Sequence, residues 1–452
     1  MDWNRRYLVV GMARSGVSAA LALWNKGAEV YVNDRRTEEA FGGELDSLRK
    51  DGIHFALGQE PMDLLPRVDA LVISPGVPID APFVIRAKEL GLEVLGELEL
   101  GYLLCKASVM ALTGTNGKTT TVSLLGDILK RAGLKAPVVG NVGTPITQEA
   151  PGLTGEDWAV VEVSSFQLES IHAFHPKVAA ILNVTEDHLN RHGDMATYIR
   201  MKARIFENQG PEDALILNAD DPAVLEMAKR TAAKIYLFSR THFVEQGAYV
   251  KDGRIVFRRD GREEDILAAG EVFIPGPHNL ENALAAVAMA KAVGIGSEAI
   301  AGGLREFRGV EHRIEFVREV KGVRYINDSK GTNVDSSIKA VQTMDRPTVI
   351  IAGGYDKKTD FTPFIESFRG RPIKAMVTLG ATAEQLMDTA KRLGYEPAVR
   401  AESLEDALRK AAEMAGPGEN VLLSPACASF DMFTSYEERG EIFKFLVGQL
   451  KE

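Results

Sequence analysis

The stretch 111-ALTGTNGKTTTVSLL-125 decides how this chain is read. An apolar run ending at Thr113 gives way to Gly114-Thr115-Asn116-Gly117, and Lys118-Thr119-Thr120 then opens a segment with helical spacing. Strand, glycine turn and helix in that order make a phosphate-binding loop. Glycines free backbone N–H groups to surround phosphate oxygens, Lys118 neutralises them, and the Thr119 hydroxyl can serve Mg2+. Leu112 stands where the longer G-x-x-x-x-G-K-[ST] pattern has its first glycine, so this loop is shorter than those of typical GTPases and motor ATPases. The alternative, an ordinary glycine turn capping a helix, fits less well with a strand before it and a helix after it.

Upstream, 6-RYLVVGMARSGVSAALALWNKGAEVYVNDRR-36 reads as strand, glycine turn, amphipathic helix and strand, the opening of a doubly wound sheet. Its turn, Gly11-x-Ala13-x-x-Gly16 with Asp34 after the second strand, approximates a dinucleotide fingerprint. Ala13 occupies the position where glycine lets a pyrophosphate approach, which argues against NAD. Arg35 and Arg36 suit an anionic ligand, although arginines in a loop are usually solvated surface. A further strand, DALVISPGVP, ends this domain near residue 97. From 98 to 310, apolar runs (VMALT, WAVVEV, VAAILNV, ALILNA) alternate with helical stretches, and residues 311–452 repeat the alternation with TVIIAGG, IKAMVTLG and NVLLSPACASFD. The expectation is three α/β domains at 1–97, 98–310 and 311–452, a Rossmann-like domain, a phosphate-loop domain of mainly parallel strands, and a second Rossmann-like one.

At 452 residues, with 45% hydrophobic and 26% charged residues, the chain has the composition of a soluble enzyme. It offers no apolar run long enough to span a bilayer and no signal-peptide pattern, so a cytoplasmic protein away from membranes is expected. A net charge of -10 argues against nonspecific nucleic-acid binding. The two cysteines, Cys105 and Cys427, cannot form a disulfide framework and read as free thiols among apolar neighbours.

Glu162 interrupts the apolar strand WAVVEV; a carboxylate there is paired, protonated, metal-bound, or on an edge facing water. His188 and His192 are four apart and could share a helical face. The zinc pattern H-E-x-x-H is absent, because Leu189 stands where its glutamate belongs. Lys202, in the amphipathic segment YIRMKARIFE, reads by itself as a solvated lysine. HNLENALAA, EHRIE, NDSKGTN and SPACASFD each put polar residues at turns where strands end, the usual place for ligands in open α/β sheets.

Together with GTNGKTT, GNVGTP, VVEVSSFQLE and NVTEDHLNRH, and in this order along nearly the whole chain, these motifs resemble the Mur ligases. The resemblance implies cytoplasmic peptidoglycan-precursor synthesis, with an N-terminal domain for a UDP sugar-peptide, a central one for ATP and a C-terminal one for an incoming amino acid. It implies that Gly114, Thr115, Asn116, Gly117, Lys118, Thr119 and Thr120 enclose the ATP phosphates, that Thr119 and Glu162 serve one Mg2+, and that His188 and a carbamate on Lys202 serve a second. Lys118, Glu162, His188 and Lys202 would thus form the catalytic set. Asn279 and Asn282 would contact adenine, and Arg313 and Asp328 the ribose and phosphate side. Arg14, Ser15, Asp34, Arg35, Arg36 and Gly76 align with the uridine-diphosphate pocket, and Asn141 with the sugar-peptide. Thr332, Lys357, Ser429, Phe430 and Tyr436 match the positions for D-glutamate, to be joined to UDP-N-acetylmuramoyl-L-alanine through an acyl phosphate. Tyr436 stands where the family pattern has phenylalanine, and the segment around Tyr355 differs too. No DNPR-like segment of the diaminopimelate-adding relatives is present. A monomer is expected, with closure of the third domain about a hinge near residues 308–313. The folylpolyglutamate synthases share the implied architecture, but carry glycine after the loop lysine where Thr119 stands. A nucleotide sensor without turnover would not need the second-metal set.

Overall fold

The structure, a computed structural model, describes residues 3–41, 45–355 and 359–451. It forms two compact bodies, one containing residues up to Phe273 with Pro277–Phe307, the other Ile274–Gly276 with the chain from Arg308 onward.

The first body carries two sheets. Strands β1 (Arg6–Val10), β2 (Glu29–Asp34), β3 (Ile53–Leu57), β4 (Ala70–Ile73) and β5 (Glu93–Gly96) form a parallel sheet in the order β3-β2-β1-β4-β5. The order reverses between β1 and β4, so the loops after these two strands flank a crevice at their carboxyl ends. Gly16 is needed there because a Cβ would lie 1.8 Å from the Gly11 carbonyl oxygen, where the helix Arg14–Trp24 packs on its own turn.

The central sheet has nine strands: β6 (Ser108–Thr113), β7 (Val138–Gly140), β8 (Trp158–Glu162), β9 (Val178–Ile181), β10 (Ala214–Asn218), β11 (Lys234–Ser239), β12 (Gly247–Lys251), β13 (Arg254–Arg259) and β14 (Arg262–Ala268). They run β14-β13-β12-β11-β10-β9-β6-β8-β7. Strands β7 to β12 with β6 are parallel, whereas β12, β13 and β14 form an antiparallel meander at one edge. Strands β9 and β10 are buried throughout, as expected for parallel strands covered on both faces. One face lies under the helices Lys118–Arg131, Pro277–Ala292 and Ser297–Glu306. The other shares a continuous apolar cluster with the first sheet, from Tyr7, Val9 and Leu23 through Leu98 and Leu100 to Val109, Ala111 and Leu215. Two buried carboxylates reinforce this joint. Glu99 accepts the backbone N–H groups of His172, Ala173 and Phe174, and Glu97 accepts the Thr147 N–H and hydroxyl. Burial raises the Glu97 carboxyl above the usual range.

The second body holds β15 (Glu315–Val320), β16 (Val323–Asn327), β17 (Thr348–Ala352), β18 (Ile373–Thr378), β19 (Ala398–Arg400) and β20 (Asn420–Leu423) in the order β15-β16-β20-β17-β18-β19. Among these strands, as far as the described residues go, only the β15–β16 pair is antiparallel. Insertion of β20 between β16 and β17 brings the loops after all three strands to one edge.

Candidate functional site

The phosphate loop follows β6, the central sheet's switch strand, where ligands gather in folds of this kind. Gly117, at φ +84, precedes the helix Lys118–Arg131, and a Cβ there would lie 2.2 Å from Asn282 Oδ1. Only glycine accepts that dihedral and that approach together. The Asn183 side chain pins the loop: its Oδ1 accepts the Asn116 N–H at 2.8 Å and its Nδ2 donates to the Asn116 carbonyl at 3.1 Å. Thr115 accepts from the Thr185 N–H and lies 3.3 Å from the Tyr198 hydroxyl. Lys118 Nζ folds across the loop onto the Gly114 and Thr115 carbonyls, at 2.9 Å each. Thr119 and Thr120 are buried in the first helical turn. Asn279 and Asn282, bonded to each other at 3.2 Å, face this turn from the helix Pro277–Ala292.

Glu162 ends β8, which is paired on both sides by β6 and β7, so it is no edge residue. Its Oε1 accepts the Asn141 amide at 2.8 Å, while its Oε2 is buried with no hydrogen-bond partner among the described residues. A buried carboxylate oxygen left so is a donor that could serve a cation. His188 does not share a helical face with His192. It sits at φ +55 as the residue before the short helix Leu189–His192, with Nε2 3.4 Å from Asp187. His192 is buried and bonded to the Ser165 hydroxyl. Lys202, on the helix Met195–Ala203, is only 1% exposed, which overturns its reading as a solvated lysine. Its Nζ lies 4.4 Å from the Tyr198 ring centroid. Burial first, and then the charge of Lys118, push this amine well below the usual lysine range. Burial also lowers the His188 imidazole, with Lys118 and Lys202 contributing in the same direction against Asp187.

At the switch point of the first sheet, a cavity of about 380 Å³ is lined by Ser15, Asp34, Arg36 and Gly76 from that sheet and by Asn141 and Gln167 from the central one. Asp34 accepts the Met12 N–H and pairs with Arg36, whose hydrogen bonds hold its carboxyl low against the opposing effect of burial. Arg36 also lies over the Phe41 ring. Two expected residues fall outside this cavity. Arg35 is exposed and paired with Glu60, and Arg14 lines a neighbouring groove of about 930 Å³.

In the second body, Asp328 and Thr332 lie in the loop after β16 and Ser429 in the loop after β20, and the Ser329 hydroxyl of the first loop donates to the carbonyl of Tyr436. Asp328 accepts the Ser424 hydroxyl and the Ile314 N–H, and complete burial raises its carboxyl to about 7 despite the nearby Arg313. Arg313 Nε and Ser429 Oγ are buried without hydrogen-bond partners among the described residues. Phe430 is 66% exposed and Tyr436 opens the helix Tyr436–Gly448, its ring edge-on to His312. Lys357 lies outside the described residues. Sequence reasoning passed over Arg439, which is buried with its guanidinium donating to Ser329, Cys427 and Ala428, binding both loops to that helix. It also passed over Asn183, Tyr198 and Gln167. The only signal for these was their position within the quoted motifs.

A phosphate loop at the switch of a central sheet, joined to a Rossmann-like sheet and followed by a third α/β layer, is the architecture of one class of ligases. Family models match along the chain: the N-terminal domain of MurD-like Mur ligases over residues 5–96, the Mur ligase middle domain over 112–290, and the Mur ligase glutamate ligase domain over 312–427. The chain belongs to the Mur ligase family. Among its relatives, a UDP-N-acetylmuramoylalanine–D-glutamate ligase of Alkaliphilus oremlandii is 46% identical over 450 residues, covering 99% of both chains. One of the same name from Clostridioides difficile is 44% identical over the same share. Solved structures share the fold at lower identity. They include a UDP-N-acetylmuramate-alanine ligase of Thermotoga maritima (TM-score 0.62, 20% identity, 99% of this chain and 100% of that one) and E. coli FolC in complex with DHPP and ADP (TM-score 0.57, 20% identity, 78% and 92%).

Proposed function

We propose that the chain is an ATP-dependent ligase that joins D-glutamate to UDP-N-acetylmuramoyl-L-alanine in peptidoglycan-precursor synthesis. The observation that carries this reading is its likeness, along 99% of its length, to relatives named for that reaction. The geometry supports it with a phosphate loop and a cavity walled by the strand ends of two sheets in one body.

In the proposed chemistry, the alanyl carboxylate attacks the γ-phosphorus of ATP, ADP leaves, and an acyl phosphate forms. The D-glutamate amine, in its neutral form, then attacks the acyl carbon, phosphate departs with its electron pair, and the nitrogen gives up a proton to leave the amide. No side chain need serve as nucleophile. The protein's work is positioning and charge stabilisation. Backbone N–H groups of the loop and Lys118 hold the phosphates; Asn279 and Asn282 approach the adenine. Asp34, Arg36, Ser15 and Gly76 bind the uridine diphosphate, with Asn141 toward the sugar-peptide.

Mg2+ fits the donors present. Glu162 Oε2, without a hydrogen-bond partner among the described residues, and the Thr119 hydroxyl would hold one ion, and His188 with a carbamate on Lys202 a second. Such ions, when bound, draw negative charge from the transferring phosphoryl group. Lys202 suits carbamylation because its buried amine, held low by burial and Lys118, is available neutral to add CO2, losing a proton as the N–C bond forms. Thr332, Ser429, Phe430 and Tyr436, with Lys357, would bind D-glutamate; Arg313 and Asp328 would take the nucleotide's ribose and phosphate side. The reading includes domains at 1–97, 98–310 and 311–452 and closure about residues 308–313, which would keep water from the acyl phosphate.

Substrate labelled with 18O in its alanyl carboxylate tests the mechanism. Released phosphate should carry one 18O per turnover; unlabelled phosphate would contradict the acyl-phosphate route.

A further inference from the structure

Arg191 does not itself line the sugar-nucleotide cavity, but its guanidinium is bonded to residues that do. It is largely buried, its side chain 18% exposed, on the short helix Leu189–His192. Nε and Nη2 donate to the two oxygens of Glu169, at 3.1 and 2.5 Å. Nη1 donates to the Pro75 carbonyl at 3.2 Å and Nη2 also to the Val77 carbonyl at 3.3 Å. The plane lies over Phe166, 4.3 Å from the ring centroid. Pro75, Gly76 and Val77 form the cavity rim contributed by the first sheet. On its other side, Arg191 is tied to His188: its backbone N–H donates to the His188 carbonyl, and the Phe166 ring beneath the guanidinium packs edge-on against the His188 ring at 4.8 Å.

We infer that Arg191 is a positioning residue that couples the rim of the sugar-nucleotide cavity to the turn carrying His188. This rests on the reading that the cavity takes the UDP-linked substrate. The guanidinium charge is matched by Glu169, so Arg191 is no phosphate ligand. What it supplies is a planar fork that fixes two carbonyls of one domain against a carboxylate and a ring of the next. A lysine, a point charge on a flexible stem, cannot span those acceptors. Substrate seated against Gly76 is thereby registered to His188, and displacement of about 1 Å at such a joint is enough to lose much of an enzyme's rate.

The test uses the full chain with UDP-N-acetylmuramoyl-L-alanine as probe, by calorimetry and steady-state kinetics. Arg191→Met should weaken binding of the sugar nucleotide and raise its KM by about tenfold or more, while the KM for the amino acid stays within twofold. Arg191→Lys should recover only part of the loss. Glu169→Gln, which keeps the shape but removes the matching charge, should move the same KM in the same direction by less; if Arg191→Met fails to fold, the other two variants carry the test. Sugar-nucleotide affinity within twofold of wild type in folded variants, or KM values rising together for all three substrates, would overturn the inference and leave the reading of the cavity standing. Failure of the wild-type chain to bind the probe would overturn both.

Discussion

Lys202 shows how one side chain separates the proposed ligase from a bland α/β protein. An ammonium buried to 1% exposure near another lysine is costly, and the cheapest escape is to lose its proton, the state that can add CO2. Lys202→Ala should leave the fold intact and lower turnover by two orders of magnitude or more, with partial recovery on adding short carboxylates as oxygen donors. Wild-type activity in that variant would return Lys202 to a structural role. Asp328 gives a pH signature. Its folded carboxyl is raised to about 7 from an ordinary 3.8, so between those values the folded state binds a proton that the unfolded state has released. Stability from this group is therefore fully present below pH 4 and falls as pH rises toward 7, by on the order of a few kcal/mol. Asp328→Asn should flatten that part of the pH profile in denaturant unfolding followed on the second body; an unchanged slope would contradict the buried, protonated carboxyl. Sequence could bring both residues forward only through the motif resemblance. Lys202 alone reads as solvated, and Arg439, Asn183 and Arg191 are silent because their partners lie tens of residues away.

Strands and helices were more legible than side-chain partners. The phosphate loop could be read as strand, turn and helix because glycine, lysine and a run of threonines follow an apolar segment, and the all-buried strands betray themselves as continuous apolar runs. The β12–β14 meander was hidden within a mainly parallel expectation, since local patterning does not specify the direction of a strand's partner. At this scale Gly117 is the sharpest test. Gly117→Ala demands a left-handed alanine and drives its Cβ into Asn282, displacing either the loop or that asparagine. Nucleotide affinity should fall at least tenfold in a fluorescent ADP titration, with UDP-substrate binding nearly unchanged. Equal loss of both ligands would mean that the two pockets are not separate.

At the scale of the whole molecule, the three-sheet α/β architecture and the order of motifs agree with the Mur ligase family, and among the described residues no helix is long and apolar enough to cross a membrane. Substrate choice is the step that likeness alone carries furthest, and the second body gives it physical footing. Among the described residues Ser429 Oγ is buried without a partner, in a loop tied down by Arg439, a cation that burial lowers to about 10. A hydroxyl so placed can donate to a carboxylate at little reorganisation cost, and a charge-assisted contact there is worth about 1.5–3 kcal/mol. The most direct measurement is ADP release by the full chain with ATP, Mg2+, UDP-N-acetylmuramoyl-L-alanine and a panel of amino acids. D-Glutamate should support turnover well above L-glutamate, L-lysine and meso-diaminopimelate, and no ADP should form at a comparable rate without the UDP-linked substrate. Faster turnover with any of the other amino acids, or ADP release indifferent to the UDP-linked substrate, would contradict the account.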